Sequence, residues 1–99
     1  MGIFNYSFMR KKIAILGSTG SIGQTLLKII EKDKKNFEIV LLTANKNYKK
    51  LFQQAKKFKV KNLVINNNKI YNRIKNKKNF KIYNSFKDIN LIFKKKIDY

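Results

Sequence analysis

Three glycines, Gly17, Gly20 and Gly23, stand in the run GSTGSIG, with hydroxyls at Ser18, Thr19 and Ser21 between them. A short apolar run, KIAIL (12–16), leads into them, and a helix-spaced apolar pattern follows. Between a strand and a helix each glycine has its own use. Gly17 lets the chain turn off the strand without a Cβ penalty. Gly20 leaves room for a pyrophosphate against the backbone, and Gly23 lets the helix lie close to the sheet. The first-turn amides around Gly20, Ser21 and Ile22 point at the same mouth, where Ser18, Thr19 and Ser21 add hydroxyl donors. With the helix dipole they favour an exposed anion by about 0.3–1 kcal/mol, rising to ~2 when it is partly buried. The chemistry implied is dinucleotide binding through the phosphates. Glycine-rich turns also join strands to helices without binding anything, so the reading rests on the agreement of strand, turn and helix. The spacing is one residue wider than G-x-G-x-x-G, and no Gly-Lys-Ser/Thr follows, which excludes a Walker loop.

A second group of residues bears on which dinucleotide. NAD-binding domains place an acid at the end of the second strand, against the ribose hydroxyls. Here that end reads TANKN (43–47), with no acid and with Lys46 between Asn45 and Asn47. A cation flanked by amides suits a 2′-phosphate and favours NADP(H) over NAD(H). Glu38 lies at the start of the same strand, on the wrong edge of the sheet. The plainer alternative is that Lys46 is one surface lysine among many.

Groups for the rest of a reaction are missing. The chain has no histidine or cysteine, which removes the commonest general base, thiolate metal ligands and a Cys nucleophile. Its five acids, Glu31, Asp33, Glu38, Asp88 and Asp98, have no spacing that gathers oxygen ligands around Mg²⁺ or Mn²⁺. No residue offers a convincing acid or base for moving protons on a sugar phosphate. The chain can hold a hydride donor but is not equipped to complete a reaction alone.

The elements that must position the glycines follow an alternating pattern. KIAIL (12–16) reads as a buried strand. Ile22, Leu26, Ile29 and Ile30 follow at the spacing of one helical face, and DKKN ends that helix. FEIVLLTA (37–44) is a nearly continuous apolar run, as suits a parallel strand covered on both faces. Asn47 can cap a helix carrying Tyr48, Leu51, Phe52, Ala55 and Phe58 on one side. NLVI (62–65) is a third strand, KIYNRIK (69–75) a short helix and FKIY (80–83) a fourth strand. SFKDINLIF (85–93) reads as a helix capped by Ser85, and IDY (97–99) as the first step of another strand. This rhythm predicts an α/β fold, a Rossmann-like parallel sheet with helices on both faces, incomplete at the C-terminus.

The chain has 99 residues, enough for one domain. Met9 is a plausible internal start, which makes residues 1–8 an extension outside the fold and 9–99 the domain. Lys and Arg number 24 against 5 acids, a net charge of +19. Such a field attracts nucleic acid, but the lysines are scattered through every segment, as an AT-rich gene would produce, and a solvated surface is the favoured reading. No run reaches the ~18 apolar residues of a membrane span, and the N-terminus lacks a secretory pattern. The expected location is cytoplasmic.

KKIAILGSTGSIG followed by TLLKII, a strand ending LLTANKN and then LFQQAKKFKVKNLVI closely resembles the N-terminus of the 1-deoxy-D-xylulose 5-phosphate reductoisomerase family. The resemblance covers residues 9–99 and is strongest over 12–65. It implies conversion of 1-deoxy-D-xylulose 5-phosphate to 2-C-methyl-D-erythritol 4-phosphate, with NADPH and a divalent metal, in non-mevalonate isoprenoid synthesis. It implies cofactor contacts at Thr19, Gly20, Ser21 and Ile22, and at Asn45, Lys46 and Asn47. Asn45 stands where the family usually has Gly; Asn tolerates a left-handed backbone, so the turn can survive the change. In the family the metal ligands (Mg²⁺ or Mn²⁺), the lid and the sugar-phosphate site lie beyond the residues matched here, and the enzyme is a homodimer. The chain is therefore expected to be an NADPH-binding fragment, inactive alone. An aspartate-semialdehyde-dehydrogenase-like oxidoreductase and a small basic nucleic-acid-binding protein are the competing readings.

Overall fold

The computed structural model describes residues 10–85. Four parallel strands, β1 (Lys11–Ile15), β2 (Phe37–Ala44), β3 (Asn62–Ile65) and β4 (Lys81–Tyr83), form one sheet in the order β1-β2-β3-β4. Between them run α1 (Ser21–Glu31), α2 (Tyr48–Phe58) and α3 (Asn68–Ile74), with a 3-10 turn at Lys34–Asn36. The expected α/β parallel sheet is present, with strand limits within a residue of the sequence reading. The expected helix over 85–93, the strand at 97–99 and the extension at 1–8 fall outside the described residues, apart from Ser85.

Each strand neighbours the next in sequence. With right-handed crossovers, the rule for parallel strands, that order sends every connecting helix to the same face. The main core agrees: Ile13, Ile15, Ile39, Leu42, Leu63 and Ile65 of the sheet pack with Leu27 and Ile30 of α1 and Leu51 and Ala55 of α2. Ile70, Tyr71 and Ile74 of α3 join at its margin. On the opposite face Leu41 and Val64 are buried, with Ala14, Val40 and Tyr83 against them, and no described helix contributes. Helices on both faces were expected; among the described residues they lie on one. The continuous apolar runs of β2 and β3 fit strands covered on both sides.

In α1 the sequence-based stripe needs correction. Gly23, Leu27 and Ile30 face the core, whereas Ile22, Leu26 and Ile29 are exposed, Ile22 by 80%. Spacing alone admits both stripes, because each repeats at i, i+4 and i+7. Leu16, read as the last strand residue, lies beyond β1 and is exposed.

The helix α2 starts as expected, with Asn47 Oδ1 accepting from Lys50 N at 3.3 Å. It ends at Lys59, which sits in the left-handed region (φ 58°), while Val60 N bonds back to Ala55 O at 2.8 Å. That is a helix stop at which glycine is usual. Lys57 on α2 reaches Glu31 at the end of α1, 2.7 Å away, tying the two helices across their exposed sides.

Two outcomes are expected. Lys59→Gly removes a left-handed penalty of about 1–2 kcal/mol and adds about 0.5–1 kcal/mol of chain entropy to be lost on folding. The net, between no change and a gain of ~1.5 kcal/mol, is measurable by urea unfolding; a loss of stability would contradict this account of the helix stop. For Glu31, the hydrogen bond from Lys57 lowers the carboxyl pKa, burial opposes the shift, and the charges of Lys57 and Lys34 add to it. Because the folded-state value is the lower one, this contribution to stability is present above the ordinary carboxylate range. It is lost as pH falls through the lowered value. An NMR titration should find Glu31 titrating below a glutamate in an unstructured peptide, and Lys57→Met should raise it.

Candidate functional site

Parallel pairing brings the glycine turn and the 45–47 loop to one edge. Ile15, the last residue of β1, pairs with Leu42, two residues before the end of β2, so both chains leave the sheet at its C-terminal edge. Ligands of open α/β sheets bind outside this edge.

Gly17 has φ 65°, and its turn closes through Gly20 N donating to Gly17 O at 3.0 Å. Gly20 is the N-cap of α1, in extended backbone, and gives no side-chain cap to the helix. By contrast α2 and α3 are capped by Asn47 and Asn67. No acid stands in the first turn of α1, so the positive end of its dipole meets no competing carboxylate on that turn. Gln24 Nε2 donates to Thr19 O at 2.8 Å and steadies the turn from the helix side. A Cβ on Gly23 would fall on the carbonyl oxygen of Gly17 and 2.6 Å from Ser18 Cα. That close approach, helix against turn, is the geometry that the third glycine permits.

Of the residues marked by the sequence, Gly20, Ser21 and Ile22 are exposed at this mouth and Thr19 is half-buried. Asn45, Lys46 and Asn47 are exposed on the neighbouring loop. That loop is pinned by Asn67 N to Asn45 O at 3.1 Å and by Tyr48 N to Lys46 O at 2.7 Å. Lys59 is the one described non-glycine residue with positive φ, so Asn45 carries no left-handed strain. Glu38 lies at the opposite end of β2, paired with Lys12, as the sequence indicated.

Ser18 does not belong at the mouth. Its hydroxyl, read from sequence as a ligand donor, is fully buried and donates to Gln54 Oε1 at 2.8 Å. Gln54 Nε2 returns a bond to Ser18 O at 2.9 Å. Thr43 completes the group, with Oγ1 accepting from Gly17 N and O from Ser18 N, each at 2.9 Å. Ser18, Thr43 and Gln54 were not read as a unit from sequence. The available signal was a glutamine beside Ala55 on the apolar stripe of α2. A groove of about 480 Å³ between Phe52, Val60 and Phe80 lies at the other end of the strands, away from this edge.

Among the described residues no group of three His, Cys, Asp or Glu side chains could hold a metal, and no helix is long and apolar enough to cross a membrane.

A family model described as 1-deoxy-D-xylulose 5-phosphate reductoisomerase matches residues 13–95. The chain is 53% identical to that enzyme of Pelagibacter ubique over 94 residues, covering 90% of this chain and 24% of the relative. It is 46% identical to the enzyme of Phocaeicola vulgatus over 67 residues, 68% of this chain and 18% of that one. Among solved structures, 1-deoxy-D-xylulose 5-phosphate reductoisomerase from Zymomonas mobilis in complex with NADPH matches with a TM-score of 0.68 and 32% identity. That match covers 75% of this chain and 20% of the other. The chain thus spans about a quarter or less of the length of these relatives.

The three glycines should separate in a stability series. Gly17→Ala meets nothing within 4 Å, so its cost is the left-handed backbone, about 1–2 kcal/mol, less the ~0.5–1 kcal/mol of chain entropy no longer lost on folding. Gly23→Ala forces helix and turn apart and should cost the ~1–3 kcal/mol typical of overpacking, or more. Gly20→Ala, whose Cβ would stand 3.4 Å from Gly17 O, should change stability least. Urea unfolding of the three variants checks the order.

Proposed function

The chain belongs to the 1-deoxy-D-xylulose 5-phosphate reductoisomerase family, and we propose that residues 9–99 provide its NADPH-binding fold. The observation that carries this reading is the N-terminus of α1, which has no side-chain cap or first-turn acid and follows β1 at the sheet edge where the parallel strand β2 leads on to Lys46.

The residues fit the cofactor's two anionic ends. Amides of Ser21 and Ile22, with the Thr19 hydroxyl, hold the pyrophosphate, and the dipole of α1 favours it there; the Gly20 amide is spent on the turn, donating to Gly17 O. Gly20 leaves the backbone open to close approach. Lys46 takes the 2′-phosphate, and Asn45 and Asn47 add amide groups beside it. Bound here, NADPH supplies a hydride. The work of this chain is to orient the donor at the sheet edge and to select the 2′-phosphorylated form.

The wider activity is proposed from family membership: reductive rearrangement of 1-deoxy-D-xylulose 5-phosphate in the cytoplasm by a homodimeric enzyme. For the divalent metal of that reaction the described residues present no donor set.

The test is titration of the full 99-residue chain with NADPH and NADH, followed by calorimetry or cofactor fluorescence. NADPH should bind more tightly. Lys46→Ala should weaken NADPH about tenfold, as for one charge-assisted hydrogen bond, and leave NADH nearly unchanged. An unaltered ratio would remove Lys46 from the 2′-phosphate site.

A further inference from the structure

The peptide at Ser18 is held from two directions at once. Gln54 of α2 grips it at two points, accepting from Oγ at 2.8 Å and donating to the carbonyl oxygen at 2.9 Å. Thr43 of β2 grips it through the main chain, with its own carbonyl accepting from Ser18 N at 2.9 Å. Ser18 is fully buried and Gln54 nearly so, and no buried side-chain polar atom among the described residues lacks a partner.

What matters is where those two elements lead. Thr43 lies two residues before Asn45, and α2 begins at Tyr48, directly after its cap Asn47. The two elements that fix the glycine turn are therefore the two that bound the 45–47 loop on either side. A core amide is a costly way to fill space: an unpaired buried polar group costs about 1–3 kcal/mol. A leucine or methionine at 54 would pack on Leu51 and Ala55, but it would leave the Ser18 hydroxyl and carbonyl without these bonds.

We propose that Gln54 is a positioning residue for the dinucleotide. It acts through Ser18, touches no ligand itself, and sets the span between the turn that receives the pyrophosphate and the loop that carries Lys46. One cofactor must bridge both, so a fixed span lowers the ordering cost of binding. This rests on the NADPH reading of the two segments. It adds that the two ends of the site are energetically coupled through one buried side chain.

The experiment is a double-mutant cycle on the full chain. NADPH and NADH affinities are measured for wild type, Gln54→Met, Lys46→Ala and the double variant, at a temperature where circular dichroism finds each folded. Gln54→Met should weaken NADPH by roughly tenfold, the worth of one to two net hydrogen bonds. The Lys46→Ala penalty should shrink severalfold in the Gln54→Met background, and with it the NADPH preference. A purely structural glutamine would lower the melting temperature and leave both the affinity of the folded chain and the Lys46 penalty as in wild type; that result overturns the proposal. Should Gln54→Met fail to fold, Ser18→Ala removes one hydroxyl and keeps the bond from Gln54 to the carbonyl. It should weaken NADPH about threefold, for one neutral hydrogen bond, and wild-type affinity in that variant overturns the proposal equally. A wild-type chain that binds no NADPH overturns the cofactor reading, and the positioning role with it. Wild-type binding unaffected in the variants overturns the positioning role alone.

Discussion

The contact of Gly23 with the backbone of Gly17 and Ser18 is the constraint on which the rest of this edge depends. There is room for a hydrogen and none for a methyl group. Once that approach is required, the rotation of α1 is settled: Leu27 and Ile30 follow Gly23 into the core. The same approach brings the start of α1 against the turn, with its amides at the strand edge. A functional feature, an uncapped helix N-terminus, and a packing feature, the buried stripe of α1, thus have one cause.

The polar group beneath the turn is the complement of that contact. Gly17 and Ser18 leave β1 with amides that the sheet ladder no longer uses, and Thr43 accepts from both. Gln54 accounts for the Ser18 hydroxyl and carbonyl. Buried polar groups of this kind hold a loop to one conformation because the alternatives leave them unpaired. The result is a surface loop with a core-like foundation, suited to a site that must be formed before its ligand arrives.

The net charge of +19 has little part in this architecture. Most described lysines are exposed, and several use their stems and charges locally: Lys34 and Lys57 lie over Phe58, and Lys77 over Phe52. Such contacts let a lysine-rich surface cover apolar rings while the ammonium groups remain hydrated. The charge excess bears on solubility and long-range attraction of anions rather than on the fold.

Local patterns carried much of this protein in the sequence itself. The four strands, the Asn47 cap and the strand–turn–helix order were legible because they depend on neighbouring residues: apolar runs, a capping side chain, glycines at fixed intervals. GSTGSIG and TANKN were legible as segments for the same reason, and the pairing of β1 with β2 brings them to one edge. What the sequence left open depends on contacts between distant segments. Ile22, Leu26 and Ile29 have the same spacing as Gly23, Leu27 and Ile30, and only the approach of the turn decides which set is buried. Ser18, one hydroxyl among three in the motif, turns inward because Gln54, 36 residues later, is placed beneath it. The described helices share one face because consecutive strands lie side by side, a property of the assembled sheet and of no single segment. Periodicity reports how a segment can pack; the partner that selects one packing exists only in the folded chain.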